Sequence, residues 1–112
     1  MSAGLKFDGG KVPLNLLPPR PLVEIGQVLD YGQRKYAAWN WAKGIPASRL
    51  YAALLRHLFA WWAGEDNDRE TGLSHLAHAG CCLLFLADQR HRRPDLDDRP
   101  HGLCAPVEDQ PS

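Results

Sequence analysis

The sequence predicts an all-α fold, a small bundle of three main helices. Apolar residues recur at helical spacing over three separate stretches. Strong helix formers fill those stretches, and the breaks between them carry glycine and proline, as in Gly44–Ile45–Pro46. The chain has 112 residues, enough for one domain with a limited core, and it shows no internal repeat.

Residues 1–20 are irregular, with Gly9 and Gly10 together and prolines at 13, 18 and 19. Leu14, Leu16 and Leu17 nevertheless predict that this segment lies along the body. Pro21 suits the first position of a helix, and Leu22, Ile25, Val28, Leu29 and Tyr36 carry a helical pattern from about 21 to 37. The run WNWAKGIP breaks it. Ser48 is the expected N-cap of a second helix, SRLYAALLRHLFAWWAG, which Gly64 ends. A third helix is expected over Glu70–Gln89, capped by Asp68, with acids at its first turn favoured by the helix dipole. Leu73, Leu76, Ala77, Gly80, Leu83, Leu84 and Ala87 form its apolar stripe; His75 and His78, with Thr71 and Cys82, occupy the opposing face. The domain spans residues 1–90. Residues 91–112 hold four prolines and many charges and predict a flexible or loosely docked tail.

Thirteen basic and thirteen acidic residues cancel, so the electrostatic footprint of nucleic-acid binding is missing. Three cysteines, Cys81 and Cys82 being adjacent in an apolar run, make neither a disulfide framework nor a C-x-x-C pair. They predict buried small hydrophobes in a reducing compartment. No segment approaches the length of a membrane span, so the chain is expected to be soluble and cytoplasmic, with no membrane partner. The four tryptophans and long apolar helices predict surface left for a partner, most simply another copy of the chain.

The chemistry concentrates in GEDNDRETGLSHLAHAG. Glu65, Asp66, Asp68 and Glu70 precede His75 and His78, whose side chains share one helix face. A calcium loop is excluded, because the glycine falls one place late, at Gly72, and Ala77 stands where the bidentate glutamate belongs. A capped, solvated helix entrance accounts for the acids without any function. A hard-metal site for Mg²⁺ or Mn²⁺, clamping a phosphate chain, accounts for acids and histidines together. Zinc is less attractive, since His-x-x-His alone supplies few soft ligands. On the second helix Arg56 and His57 interrupt an apolar run, and the guanidinium calls for an anion. Upstream, KYAAWNW offers Lys35 for phosphate, Trp39, Trp41 or Tyr36 for stacking on a base, and Asn40 for a base edge.

KFDGGKVPLNLLPP, GQRKYAAWNWAKG and LRHLFAWWAGEDNDRETGLSHLAHAGCCLLFL together resemble the phage-encoded dATP/dGTP diphosphohydrolases, within the MazG-like all-α pyrophosphohydrolases. The likeness runs from about residue 6 to about 89. It implies cleavage of a nucleoside triphosphate to monophosphate and pyrophosphate, Mg²⁺ or Mn²⁺ as cofactor, and sites at homodimer or homotetramer interfaces. One phage branch of this group acts on purine nucleotides, dGTP included, and feeds synthesis of DNA containing 2-aminoadenine. The wider superfamily marks its metal site with Glu-x-x-Glu and Glu-x-x-Asp on successive helices. Here Arg56, His57 and Ala60 stand where the first pair belongs. The second pair aligns either with His75-x-x-His78 or with Glu65-x-x-Asp68.

The resulting expectation is metal-assisted hydrolysis. Glu65, Asp68, Glu70 and His78 are the candidate metal ligands. Glu65 or His75 takes the proton of the attacking water. Lys35, Arg56 and His57 face the phosphates, and Asn40 and Trp41 grip the base. A nucleotide or metal sensor without turnover, and a tryptophan-rich interaction module, are the rival classes.

Overall fold

The structure, a computed structural model, describes residues 3–7 and 9–103. Three helices run in the order α1 (Pro19–Lys35), α2 (Ala47–Trp62) and α3 (His75–Arg92), with short 3-10 turns at Leu14–Leu16, Asn40–Lys43 and Pro94–Leu96. Among the described residues there is no strand, only an isolated bridge between Asn67 and Ser74. The all-α, three-helix expectation holds. α3 is the central element: it packs on α1 and, more extensively, on α2. Among the described residues no helix is long and apolar enough to cross a membrane.

The helix starts differ from expectation, each for a local reason. α1 begins at Pro19, two residues before Pro21, because the run Pro18–Pro19–Arg20–Pro21 sits where backbone N–H groups have no intrahelical partner. α2 begins at Ala47 behind Pro46, so Ser48 is not its cap. Instead the Ser48 N–H donates to Asp98 Oδ1 (2.7 Å) and its hydroxyl to Asp98 Oδ2. A carboxylate from the far end of the chain therefore supplies the missing N-cap.

α3 starts at His75, not Glu70, and its cap is Ser74, whose hydroxyl accepts from Leu76 N (3.1 Å) and Ala77 N (3.3 Å). Residues 68–73 close a turn of their own, with Asp68 N–H on Leu73 O (2.8 Å) and Gly72 N–H on Asp68 O (2.7 Å). Gly72 has φ +72°, which a right-handed helix cannot include. The acids thus lie in a loop, none of them in the first turn of α3, and the helix-dipole rationale for them fails. The C-terminus of α3 reaches Arg92 instead of Gln89.

The faces of α3 differ in part from expectation: Ala77 and Gly80 of the predicted stripe do face the packed side, but Leu76, Leu83 and Leu84 do not. His75, Ala77, Ala79, Cys81 and Gln89 are buried, while Leu76, Leu83 and Leu84 are 47%, 57% and 50% exposed. Small residues let the helices approach: a Cβ on Gly80 would stand 2.8 Å from Ile25 Cδ1. The histidine face points at α2, and its ring nitrogens find partners on α2 and in the loop that follows it.

The segment after α3 is partly docked. Gln89 exchanges hydrogen bonds with Ile45, donating to its O (2.7 Å) and accepting from its N–H (3.3 Å). Arg93 donates to Lys43 O (2.8 Å), and Asp98 completes the tie at Ser48. The remainder of the expected tail, residues 104–112, lies outside the described residues.

Candidate active site

The loop between α2 and α3 is built to aim carboxylates. α2 ends at Trp62 with Ala63 as its C-cap, and Gly64 (φ +103°) reverses the chain. Gly64 N–H bonds Trp61 O and Glu65 N–H bonds Ala60 O, both at 3.0 Å. This is the paired Schellman closure, which needs a left-handed residue at its turn. It sets Glu65 against α3, where Glu65 Oε1 lies 2.7 Å from His75 Nε2. Further on, Asp68 Oδ1 accepts the backbone N–H groups of Glu70 (2.9 Å) and Thr71 (3.0 Å). Asp68 Oδ2 is left to face His57 Nδ1 at 4.0 Å.

Three imidazoles meet these carboxylates. His57 of α2 stacks on His78 at 4.6 Å between centroids, with planes 9° apart. Its Nδ1 lies 2.9 Å from His75 Nδ1. A carboxylate only accepts, so the bond to Glu65 places a proton on His75 Nε2. His78 Nε2 is 2.7 Å from Thr71 Oγ1, a hydroxyl that also accepts from Leu73 N–H and lies 3.4 Å from Asp68 Oδ1. One ligand atom each of His57, Asp68 and His75 lie within 4.8 Å of one another.

The electrostatics favour neutral imidazole and ionised carboxylate. Burial, then the neighbouring His78, holds His57 below its ordinary value, against the pull of Asp68. Burial likewise lowers His78. The bond from His75, and then Arg69, pulls Glu65 down. Burial alone would raise Asp68, but the N–H donors of Thr71 and Glu70, with His78 and His57, turn the net shift downward. Cys81 is unsuited to nucleophilic work, since burial pushes its thiol up to about 11.

The sequence candidates divide among four places. Glu65, His75, Asp68, His57 and His78 converge between α2 and α3. Glu70 is on the exposed rim, paired with Lys35 from the end of α1 at 3.0 Å. Arg56 is exposed and, among the described residues, forms no ion pair. Asn40 and Trp41 line a separate open groove of about 450 Å³ with Trp39, Tyr36 and Phe85. In it Trp41 stacks on Phe85 (5.6 Å, 9°), and Arg92 lies over the Trp41 ring.

Of the four acids and histidines expected as ligands, only Asp68 belongs to the set of donors that converge; His57 and His75 supply the others. That set fits a divalent ion, because two imidazoles and one carboxylate with an uncommitted oxygen are an ordinary ligand set. Sequence reasoning did not find the pairing of His57 with His75, which depends on how α2 and α3 cross. Thr71, whose hydroxyl orients His78, had been placed on the right face but without a role.

Residues 1–99 match the family model described as "dATP/dGTP diphosphohydrolase, N-terminal". The chain belongs to that family. It is also similar to a dATP/dGTP diphosphohydrolase of Salmonella phage PMBT28, 42% identical over 103 residues, covering 92% of this chain. Those residues make up 35% of the phage protein, so the chain spans about a third of that relative's length. No solved structure matches the chain. The dATP/dGTP diphosphohydrolase N-terminal match runs through the whole loop and all three helices, and ends one residue beyond Asp98.

Proposed function

We propose that this chain carries out metal-dependent hydrolysis of a purine deoxynucleoside or nucleoside triphosphate, dGTP, GTP or dATP, to the monophosphate and pyrophosphate, in phage nucleotide-pool remodelling. The observation that carries this reading is the convergence of Glu65, Asp68, His57, His75 and His78 on one spot in a chain of this family. A bound divalent ion, Mg²⁺ or Mn²⁺ by the sequence expectation, would neutralise the phosphates and activate water. The water oxygen bonds the α-phosphorus, the bond to the α–β bridging oxygen breaks, and pyrophosphate leaves with the electron pair. A carboxylate or imidazole of the cluster takes the water's proton, since the site keeps both in their basic forms.

The groove gives the base a place. Phe85 follows His78 by two helical turns on the same face, about 10 Å along α3. Lys35 touches the acidic loop, and its neighbour Tyr36 lines the groove, so the end of α1 links the two ends of the substrate. The chain works as a homodimer or homotetramer: the leucines of α3, with Phe59 and Trp62 (83% exposed) on α2, are the surface a second copy covers.

A panel of ribo- and deoxynucleoside triphosphates with Mg²⁺ or Mn²⁺, with products separated, tests the reaction. Monophosphate and pyrophosphate from a purine nucleotide, abolished by EDTA and by Glu65→Ala, is the expected result. Metal-dependent binding without turnover would leave a sensor instead, and neither binding nor turnover would leave an interaction module built on its tryptophans.

A further inference from the structure

We propose that the ion at this site is a first-row transition metal, held by His57 Nδ1, His75 Nδ1 and Asp68 Oδ2, with Glu65 orienting His75 from behind. This rests on the functional reading above for the site's purpose, but not for its geometry.

One ligand atom from each of the three residues lies within 4.8 Å of the others. His75 is 4% exposed and its Nε2 is committed to Glu65, so Nδ1 is its only remaining polar atom. That Nδ1 faces His57 Nδ1 at 2.9 Å. Two imidazole nitrogens this close need either one shared proton or one shared cation between them. Ligands about 2.1 Å from an ion and at right angles to one another lie about 3.0 Å apart, so the observed spacing already suits adjacent positions of one ion. Asp68 is prepared in the same way: two backbone N–H groups hold Oδ1 and turn Oδ2 toward His57.

The pairing of Glu65 with the far nitrogen of His75 has the form of a carboxylate–histidine–metal relay. Such a partner fixes the tautomer and raises the basicity of the ligating nitrogen. Two imidazoles and one carboxylate leave further positions open for water and phosphate oxygen. Nitrogen donors also discriminate: Mg²⁺ and Mn²⁺ prefer oxygen ligands, whereas imidazole suits Fe²⁺, Ni²⁺, Cu²⁺ and Zn²⁺, and affinity rises from Mn²⁺ toward copper. Glu70, tied to Lys35 on the rim, and His78, tied to Thr71, stand outside this set.

The test is metal binding by EDTA-treated protein in the absence of nucleotide. Co²⁺ should bind with a stoichiometry of one per chain and visible ligand-field bands, and Mg²⁺ should compete poorly. His57→Gln and Asp68→Asn, checked for folding by circular dichroism, should weaken Co²⁺ binding by roughly 10–100-fold or more, the loss known for orienting partners being a lower bound for direct ligands. Histidine-labelled NMR with Zn²⁺ provides a readout without substitution: Nδ1 of His57 and His75 should shift and His78 should not. Wild-type affinity for Co²⁺ in both variants, or Zn²⁺ shifts on His78 alone, would overturn the assignment. Turnover with Mg²⁺ that survives His57→Gln would overturn it too while leaving the hydrolase standing. Loss of Co²⁺ in the variants, with no nucleotide hydrolysed by the wild type, would uphold the metal site and defeat the hydrolase.

Discussion

Replacing Gly64 by alanine separates backbone conformation from packing. A Cβ at Gly64 meets nothing within 4 Å, so no clash complicates the change. Its φ of +103° nevertheless lies where an L side chain is strained. Holding a non-glycine residue in a left-handed conformation costs about 1–2 kcal/mol. The stiffer unfolded chain returns about 0.4–1 kcal/mol. The net expectation is a loss of about 1 kcal/mol, or about 4 °C in Tm for a chain of this size. Gly26→Ala is the paired control: it lies inside α1 with nothing within 4 Å and no positive φ, so the same atom added there should stabilise by about 0.5–1 kcal/mol. Thermal melts of the metal-free proteins compare the two. The variants should move in opposite directions, and Gly64→Ala should also weaken metal binding, because the Schellman turn is what carries Glu65 to His75. A Gly64→Ala protein as stable as wild type would refute the account of the loop.

Asp98→Ala should lower Tm while leaving metal affinity unchanged, since Asp98 caps α2 and touches none of the cluster; melts and Co²⁺ titration report on the two parts separately. The metal-free protein should lose stability in two stages as pH falls. His57 and His78 have folded values below their ordinary 6.5, so the unfolded chain takes up protons first, and stability begins to decline below about that pH. Glu65 and Asp68, also depressed, add a second loss below their ordinary 4.5 and 3.8. Melts across pH 3–8 check both stages, and a stability rising from pH 7 to 5 would contradict them. Lys35→Ala should raise KM for the nucleotide with little change in Tm, because its pair with Glu70 is exposed. Steady-state kinetics with the best substrate of the panel decides that case.

Helix number and type were legible because they depend on local patterning, and all three helices stand where the periodicity put them. Their starts were less so. Ser48 has the right residue type for a cap, but a cap is a geometry, and Pro46 had already begun the helix. The true partner of that terminus, Asp98, is fifty residues away and could not be found by a local signal. Asp68 followed by Glu70 looked like a helix entrance, yet Gly72 at positive φ forces a turn and passes the cap to Ser74. The site was half legible: composition marked the loop as chemical, while the union of His57 with His75 required the crossing of α2 over α3.

The burial of His75 in place of the α3 leucines connects these points. A helix that buried its leucines against α2 would turn His75 outward and could not bring it to His57. Burying His75 instead demands partners for both of its nitrogens, and Glu65 and His57 supply them. The consequence is a thin apolar core, in which Leu50, Ala77, Ala79 and Cys81 are the buried hydrophobic residues among those described. Leucines displaced to the outside of α3 then do what a core would have done only if something covers them. The arrangement that brings His75 to His57 is therefore also the one that leaves the leucines of α3 exposed.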